Sequence, residues 1–128
     1  MSFLNKLFGE GVTTNPISKV NWIPLESISQ LDEIVTLSNE KAVLIFKHST
    51  RCSVSRMVLK QFENEFKLEE SITPYFLDLL EHRDVSNEIA SRFEVQHQSP
   101  QIVVIQAGKV VYSASHENID AGRLKMFS

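Results

Sequence analysis

The run Ala42-Val43-Leu44-Ile45-Phe46 constrains the fold of this chain more than any other segment. Five consecutive apolar residues lead into the polar turn Lys47-His48-Ser49-Thr50-Arg51, and a run of that length bounded by a turn reads as a buried strand. Immediately after it, Val54, Met57, Val58, Phe62 and Phe66 recur at helical spacing, which predicts a helix over about 53–67 with that stripe turned inward.

The same alternation continues along the chain. Asn21-Trp22-Ile23-Pro24 is a short extended lead-in, and Ser27 then opens a helix, with Gln30 three residues later completing a capping box and Leu31, Ile34 and Val35 facing inward. Thr73 to Leu80 is a second strand, with Pro74 near its start where a missing N–H is tolerated. Val85, Ile89 and Phe93 mark a further helix with Asp84 near its beginning. Gln101–Gln106 and Val110–Ala114 flank the turn Ala107-Gly108-Lys109 as a hairpin, and Ile119, Leu124 and Phe127 belong to a short terminal helix. Early alternation requires parallel pairing through helical crossovers, while the late hairpin is antiparallel. The chain is therefore an α/β protein with a central mixed β-sheet and helices on both faces.

With 128 residues, the chain is one domain large enough to bury a core without disulfide or metal staples. A net charge of −3 and the lack of a basic stripe argue against nucleic-acid binding. No apolar stretch is long enough to span a bilayer, and the start of the chain is too short and interrupted for a signal peptide. A single cysteine cannot form an internal disulfide, which fits a reducing cytoplasm. Residues 1–18 read as an N-terminal extension and 19–128 as the domain. Phe3, Leu4, Leu7 and Phe8 would make one apolar face, docking on the domain or on a second copy, so the chain is expected to be a monomer or weak homodimer.

That lone cysteine, Cys52, falls where the central strand hands over to its helix. A thiol at a helix N-terminus faces unpaired backbone N–H groups and the positive end of the helix dipole, which favour thiolate, the reactive form. Lys47, Arg51 and Arg56 are near in sequence and act in the same sense, and Lys47 and Arg51 are expected to be surface cations able to attract an acidic thiol. A lone cysteine is often just a small core hydrophobe. Here its flanks, His48 to Arg51 and Ser53 to Ser55, are polar, which favours thiol chemistry. His48, His82, His97 and His116 show no ligand spacing and read as surface or capping residues, so no metal site is expected. Asp78, within its apolar strand, is expected to reach a sheet edge or loop.

Two segments resemble the thioredoxin superfamily. Cys52-Ser53-Val54-Ser55 is similar to the Cys-x-x-Cys motif with serine in place of the second cysteine. Phe93 through Ile105, followed by Gly108-Lys109-Val110-Val111, is similar to the segment that ends a helix, crosses a loop to a cis-proline and enters a hairpin. The resemblance implies that Pro100 is that cis-proline beside the active cysteine, and that Ser99 offers backbone hydrogen bonds to substrate. With His48-Ser49-Thr50-Arg51-Cys52, the chain resembles the monothiol bacilliredoxins of the YtxJ-like general-stress family, found in bacteria that use bacillithiol instead of glutathione. Ser53 departs from the proline expected in many relatives.

The resemblance implies thiol–disulfide exchange in which Cys52 removes bacillithiol from S-thiolated client proteins. Ser55 would hydrogen-bond the thiolate and Arg51 would help bind substrate. Bacillithiol would be a co-substrate rather than a tightly bound cofactor, and release would need a further low-molecular-weight thiol. A cluster-holding monothiol glutaredoxin carries Cys-Gly-Phe-Ser, which Ser53 and Val54 do not match. A peroxiredoxin signature fails at Ile45 and Ser49. A non-catalytic thioredoxin-fold interaction module, its cysteine merely modified under stress, is the alternative from another class, and turnover of a mixed disulfide separates the two.

Overall fold

The computed structural model describes residues 20–128. The division at residue 18 and the apolar face of Phe3, Leu4, Leu7 and Phe8 lie outside the described residues. Along the described chain run β1 (Ile23–Pro24), α1 (Ser29–Leu37), β2 (Ala42–His48), α2 (Ser53–Glu65), β3 (Ile72–Asp78), α3 (Arg83–Arg92), β4 (Gln101–Gln106) and β5 (Lys109–Ser115). Two 3₁₀ segments, His116–Asn118 and Ala121–Phe127, close the chain. The five strands form one sheet in the order β1-β3-β2-β4-β5, with β1, β3 and β2 parallel and β4 and β5 antiparallel to their neighbours. The expected mixed sheet is present.

β2 is paired on both edges, and every residue from Ala42 to His48 is buried. Strand alternation sends successive side chains to opposite faces, and two cores result. Val43 and Ile45 join Leu77, Val103 and Ile105 under Leu31 and Ile34 of α1 and Val85 and Ile89 of α3. Leu44 and Phe46 join Ile72, Ile102 and Val104 under Phe62 of α2, Phe66 just beyond it and Leu124 of the terminal segment. On this second face Trp22 lies 5.7 Å from the Phe46 ring, 6.0 Å from Phe62 and 5.6 Å from Phe76, and its Nε1–H donates to Glu63 of α2 at 2.6 Å.

The elements depart from the sequence reading at β3 and at the start of α1. β3 stops at Asp78, whose Oδ1 accepts from the Leu80 N–H, so Leu79 and Leu80 belong to a turn rather than the strand. Pro74 stands inside β3. The Phe76 carbonyl accepts from Leu25 N–H on the β1 edge, and residues two apart share an edge, so the proline nitrogen faces the same side. β1 is only two residues long and begins opposite Tyr75, so no ladder bond is lost there. Only half of the capping box forms: Gln30 Oε1 accepts the Glu26 and Ser27 N–H groups, while Ser27 Oγ lies 3.0 Å from Ser29 Oγ. The expected short terminal helix is present as the 3₁₀ segment Ala121–Phe127, with Ile119 just ahead of it.

The stripe on α2 also differs. Val54 and Met57 are exposed at 44% and 65%; Val58, Phe62 and Phe66 of the expected stripe do pack inward, joined by Leu59 and by the buried Ser55. The first turn of α2 extends past the apolar part of β2, where the strand offers His48 instead of a hydrophobe. A serine, not a valine, suits that neighbour. Among the described residues no helix is long and apolar enough to cross a membrane.

The β4–β5 turn, Ala107-Gly108, has both residues at positive φ, the geometry that favours glycine in a two-residue hairpin. It is fastened to the end of α1: Ser38 O accepts the Ala107 N–H at 2.7 Å and Ser38 Oγ accepts the Gly108 N–H at 2.9 Å. Ser38→Ala leaves the latter donor without its acceptor, a loss of about 1–3 kcal/mol. Urea unfolding should show that loss, with faster amide exchange at Gly108.

Candidate active site

Cys52 is the N-cap of α2, with φ −104° and ψ 121°. Its own N–H donates to Ser49 O at 3.2 Å, its carbonyl accepts the Arg56 N–H at 3.1 Å, and its side chain is half-buried. An N-cap residue stands at the mouth of the helix, where the first N–H groups have no partner within the helix. The first turn contains no acidic side chain to oppose a negative charge there. Ser53 occupies the first helical position rather than the cap. Arg51 is exposed beside the thiol, and Arg56 donates to Thr50 O at 2.9 Å, tying helix to turn.

Ser55 is fully buried one turn in. Its Oγ accepts the Ser49 N–H at 3.1 Å and lies 2.8 Å from His48 Nδ1. His48 is itself 5% exposed, with its ring 5.5 Å from Phe76. It is therefore not the surface or capping residue that spacing implied. Burial lowers its pKa; Asp78 and Glu63 oppose the shift and Arg56 adds to it. With the imidazole proton on Nε2, Nδ1 accepts the Ser55 O–H while Ser49 fills the other side of that oxygen. The pair latches the last residue of β2 to the first turn of α2 and thereby fixes the turn that delivers Cys52.

The Ser99–Pro100 peptide bond is cis, and Pro100 is buried with its carbonyl accepting the His116 N–H at 3.0 Å. Gln101 pairs with Lys47 in the antiparallel ladder, so one further step sets Pro100 opposite His48. Cys52, Ser55 and the Ser99–Pro100 loop are thus gathered at one end of β2. Ser99 Oγ is buried and has no hydrogen-bond partner among the described residues.

Lys47 is not a surface cation. It is the penultimate residue of β2 and is fully buried, so it cannot meet an incoming acidic thiol. Its Nζ donates to His97 Nδ1 at 2.8 Å and to Gln101 Oε1 at 3.0 Å. Burial lowers its pKa from 10.5 to about 8. Burial also lowers that of His97, as do Lys47 and Arg83, which leaves Nδ1 free to accept. Sequence periodicity missed this lysine because it terminates the apolar run and reads as the start of the turn. Of the other histidines, His82 is the N-cap residue of α3 and His116 begins a 3₁₀ turn. Among the described residues no three His, Cys, Asp or Glu side chains gather to hold a metal ion.

The sheet order, the cysteine at the mouth of α2 and the cis-proline at the same end of β2 define a thioredoxin-fold protein with a thiol-redox function. Similar solved structures include a thioredoxin-fold protein described as a candidate oxidoreductase, at TM-score 0.69 and 32% identity over 81% of this chain and 90% of that one. The thioredoxins of Malassezia sympodialis (TM-score 0.65, 16% identity, 88% and 92% covered) and Fasciola hepatica (0.61, 16%, 80% and 92%) share the fold. The chain belongs to the monothiol bacilliredoxin BrxC family, whose model matches residues 23–124.

The buried bases make stability depend on pH. Between about 8 and 10.5 the unfolded chain holds the Lys47 proton and the folded chain does not, so stability rises with pH there, by about 1–3 kcal/mol. Tyr75, raised by burial and by Glu33, reverses the trend only above its ordinary 10.0. His48 and His97, both lowered, make stability fall as pH drops below their ordinary 6.5. Urea unfolding across this range should show the alkaline rise in wild type, and Lys47→Met should flatten it.

Proposed function

We propose that the chain is a monothiol bacilliredoxin that removes bacillithiol from S-thiolated client proteins in the bacterial cytoplasm as part of a general stress response. The observation that carries this reading is the only cysteine of the chain, placed at the N-cap of α2 with a serine three residues on and the cis-proline loop at the same end of β2. The Cys52 thiolate attacks the bacillithiol sulfur of the mixed disulfide. The client thiolate leaves and takes up a proton, and Cys52 carries bacillithiol. A second thiolate, from free bacillithiol or a comparable small thiol, then attacks the bacillithiol sulfur of the adduct and returns Cys52 to thiolate. One disulfide bond forms for each one broken in both steps.

The residues around Cys52 have parts in this scheme. The open N–H groups of α2 stabilise the thiolate as attacking and leaving group. Ser55 holds the turn through His48 and Ser49 and supplies a hydroxyl that cannot attack a disulfide. Ser99 and Pro100 receive the client backbone, and exposed Arg51 offers a cation to the acidic groups of the small thiol.

Intact-mass measurement after treatment with bacillithiol disulfide should show one adduct per chain, stable until a thiol is added. Cys52→Ala should give no adduct and no turnover of a bacillithiolated client. Ser55→Ala should keep the adduct and change its rate by up to about tenfold, since a hydroxyl tunes a thiolate without replacing it. The Ser55→Cys variant should close a disulfide between positions 52 and 55 under mild oxidation. Adduct formation by Cys52→Ala, or failure of that disulfide to close, would overturn the assignment.

A further inference from the structure

Lys47 shares a strand face with Val43 and Ile45, at a position where the core would accept an apolar side chain. Its ammonium makes no ion pair among the described residues, and both its partners are neutral. Burying a charge this way opposes folding, and what it supplies in return is a fixed geometry. That geometry concerns one short segment. Gln101 Oε1, held by Lys47 Nζ, also accepts the Gln98 N–H at 3.2 Å, while Gln101 Nε2 donates to Gln96 O at 3.0 Å. His97, between those residues, is the second partner of Lys47. Residues 96, 97 and 98 are therefore each tied to Lys47 directly or through Gln101, immediately before Ser99–Pro100.

The segment so held ends at Ser99, whose buried Oγ has no partner among the described residues.

We propose that Lys47 is a positioning residue: through Gln101 and His97 it sets the 96–99 segment against which the client protein docks, and so governs client binding rather than the reactivity of Cys52. This rests on the exchange reaction assigned to Cys52 above. Lys47 touches neither client nor thiol. It acts on the side of the sheet opposite α2, and its influence reaches the site only through the loop.

The test uses the full chain as wild type, Lys47→Met, Gln101→Met and the double variant. Methionine keeps an unbranched side chain, one atom shorter than that of lysine, and suits the surrounding core, and unfolding curves confirm that each variant is folded. Amide exchange at Gln98 should quicken about tenfold or more in both single variants, since its acceptor is lost or freed. With a single-cysteine protein blocked by bacillithiol as substrate, KM should rise about tenfold while kcat stays within about twofold. Alkylation of Cys52 by iodoacetamide should be unchanged, and the double variant should be no worse than the poorer single one. Unchanged Gln98 exchange in folded Lys47→Met would overturn the clamp. Unchanged KM, or an alkylation rate that falls in step with kcat/KM, would overturn its link to client binding. Should the wild type itself fail to turn over the blocked protein, the functional reading falls and the client half with it, while Gln98 exchange still decides the clamp.

Discussion

The structure depends on the complete burial of β2. Hydrogen-bonded along both edges and covered on both faces, the strand has no residue from Ala42 to His48 that reaches solvent freely. Apolar side chains satisfy that constraint over the first five positions. The last two are a lysine and a histidine, and a buried polar group needs a partner. Each therefore recruits one from its own side of the sheet: Lys47 takes the loop before the cis-proline, and His48 takes the first turn of α2. The two pieces of chain that flank Cys52 are in this way fastened to adjacent residues of one rigid strand.

This arrangement also explains how a helix with an exposed, partly apolar first turn stays docked. Phe62 and Phe66 stack with ring centroids 5.2 Å apart, and Phe62 meets Phe46 at 5.4 Å, so α2 is anchored by its C-terminal half. The N-terminal half is held by polar bonds, Ser55 to His48 and Ser49, and Arg56 to Thr50. Polar bonds orient a turn more narrowly than apolar contact does. Val54 and Met57 are left outside beside the thiol.

Much of this was legible in the sequence. The central strand, its following helix, the late hairpin and the mixed sheet follow from apolar periodicity and a glycine turn. Cys52 and the Ser99–Pro100 loop stood out through their resemblance to a thioredoxin-superfamily pattern. Three features did not. Lys47 and His48 lie at the boundary where an apolar run gives way to polar residues, and one-dimensional reading assigns such residues to the turn. Whether they are buried depends on the neighbouring strands, which only the fold supplies. Hydrophobicity alone adds Val54 and Met57 to the inward stripe of α2. The spacing 55, 59, 62, 66 was visible, but it begins with a serine, and only a polar partner across the interface makes that position an inward one. The end of β3 was overrun because Leu79 and Leu80 are apolar, while the Asp78 side chain turns the chain first.

Trp22 gives the molecule one further property. It is the only tryptophan of the chain, it touches Phe46, Phe62 and Phe76, and it is hydrogen-bonded to Glu63 on α2. Phe76 in turn lies against His48, the residue under the first turn of that helix. The single indole thus lies on the same face of the sheet as the thiol-bearing helix, one ring removed from its latch. Its fluorescence is an unlabelled optical readout of that face.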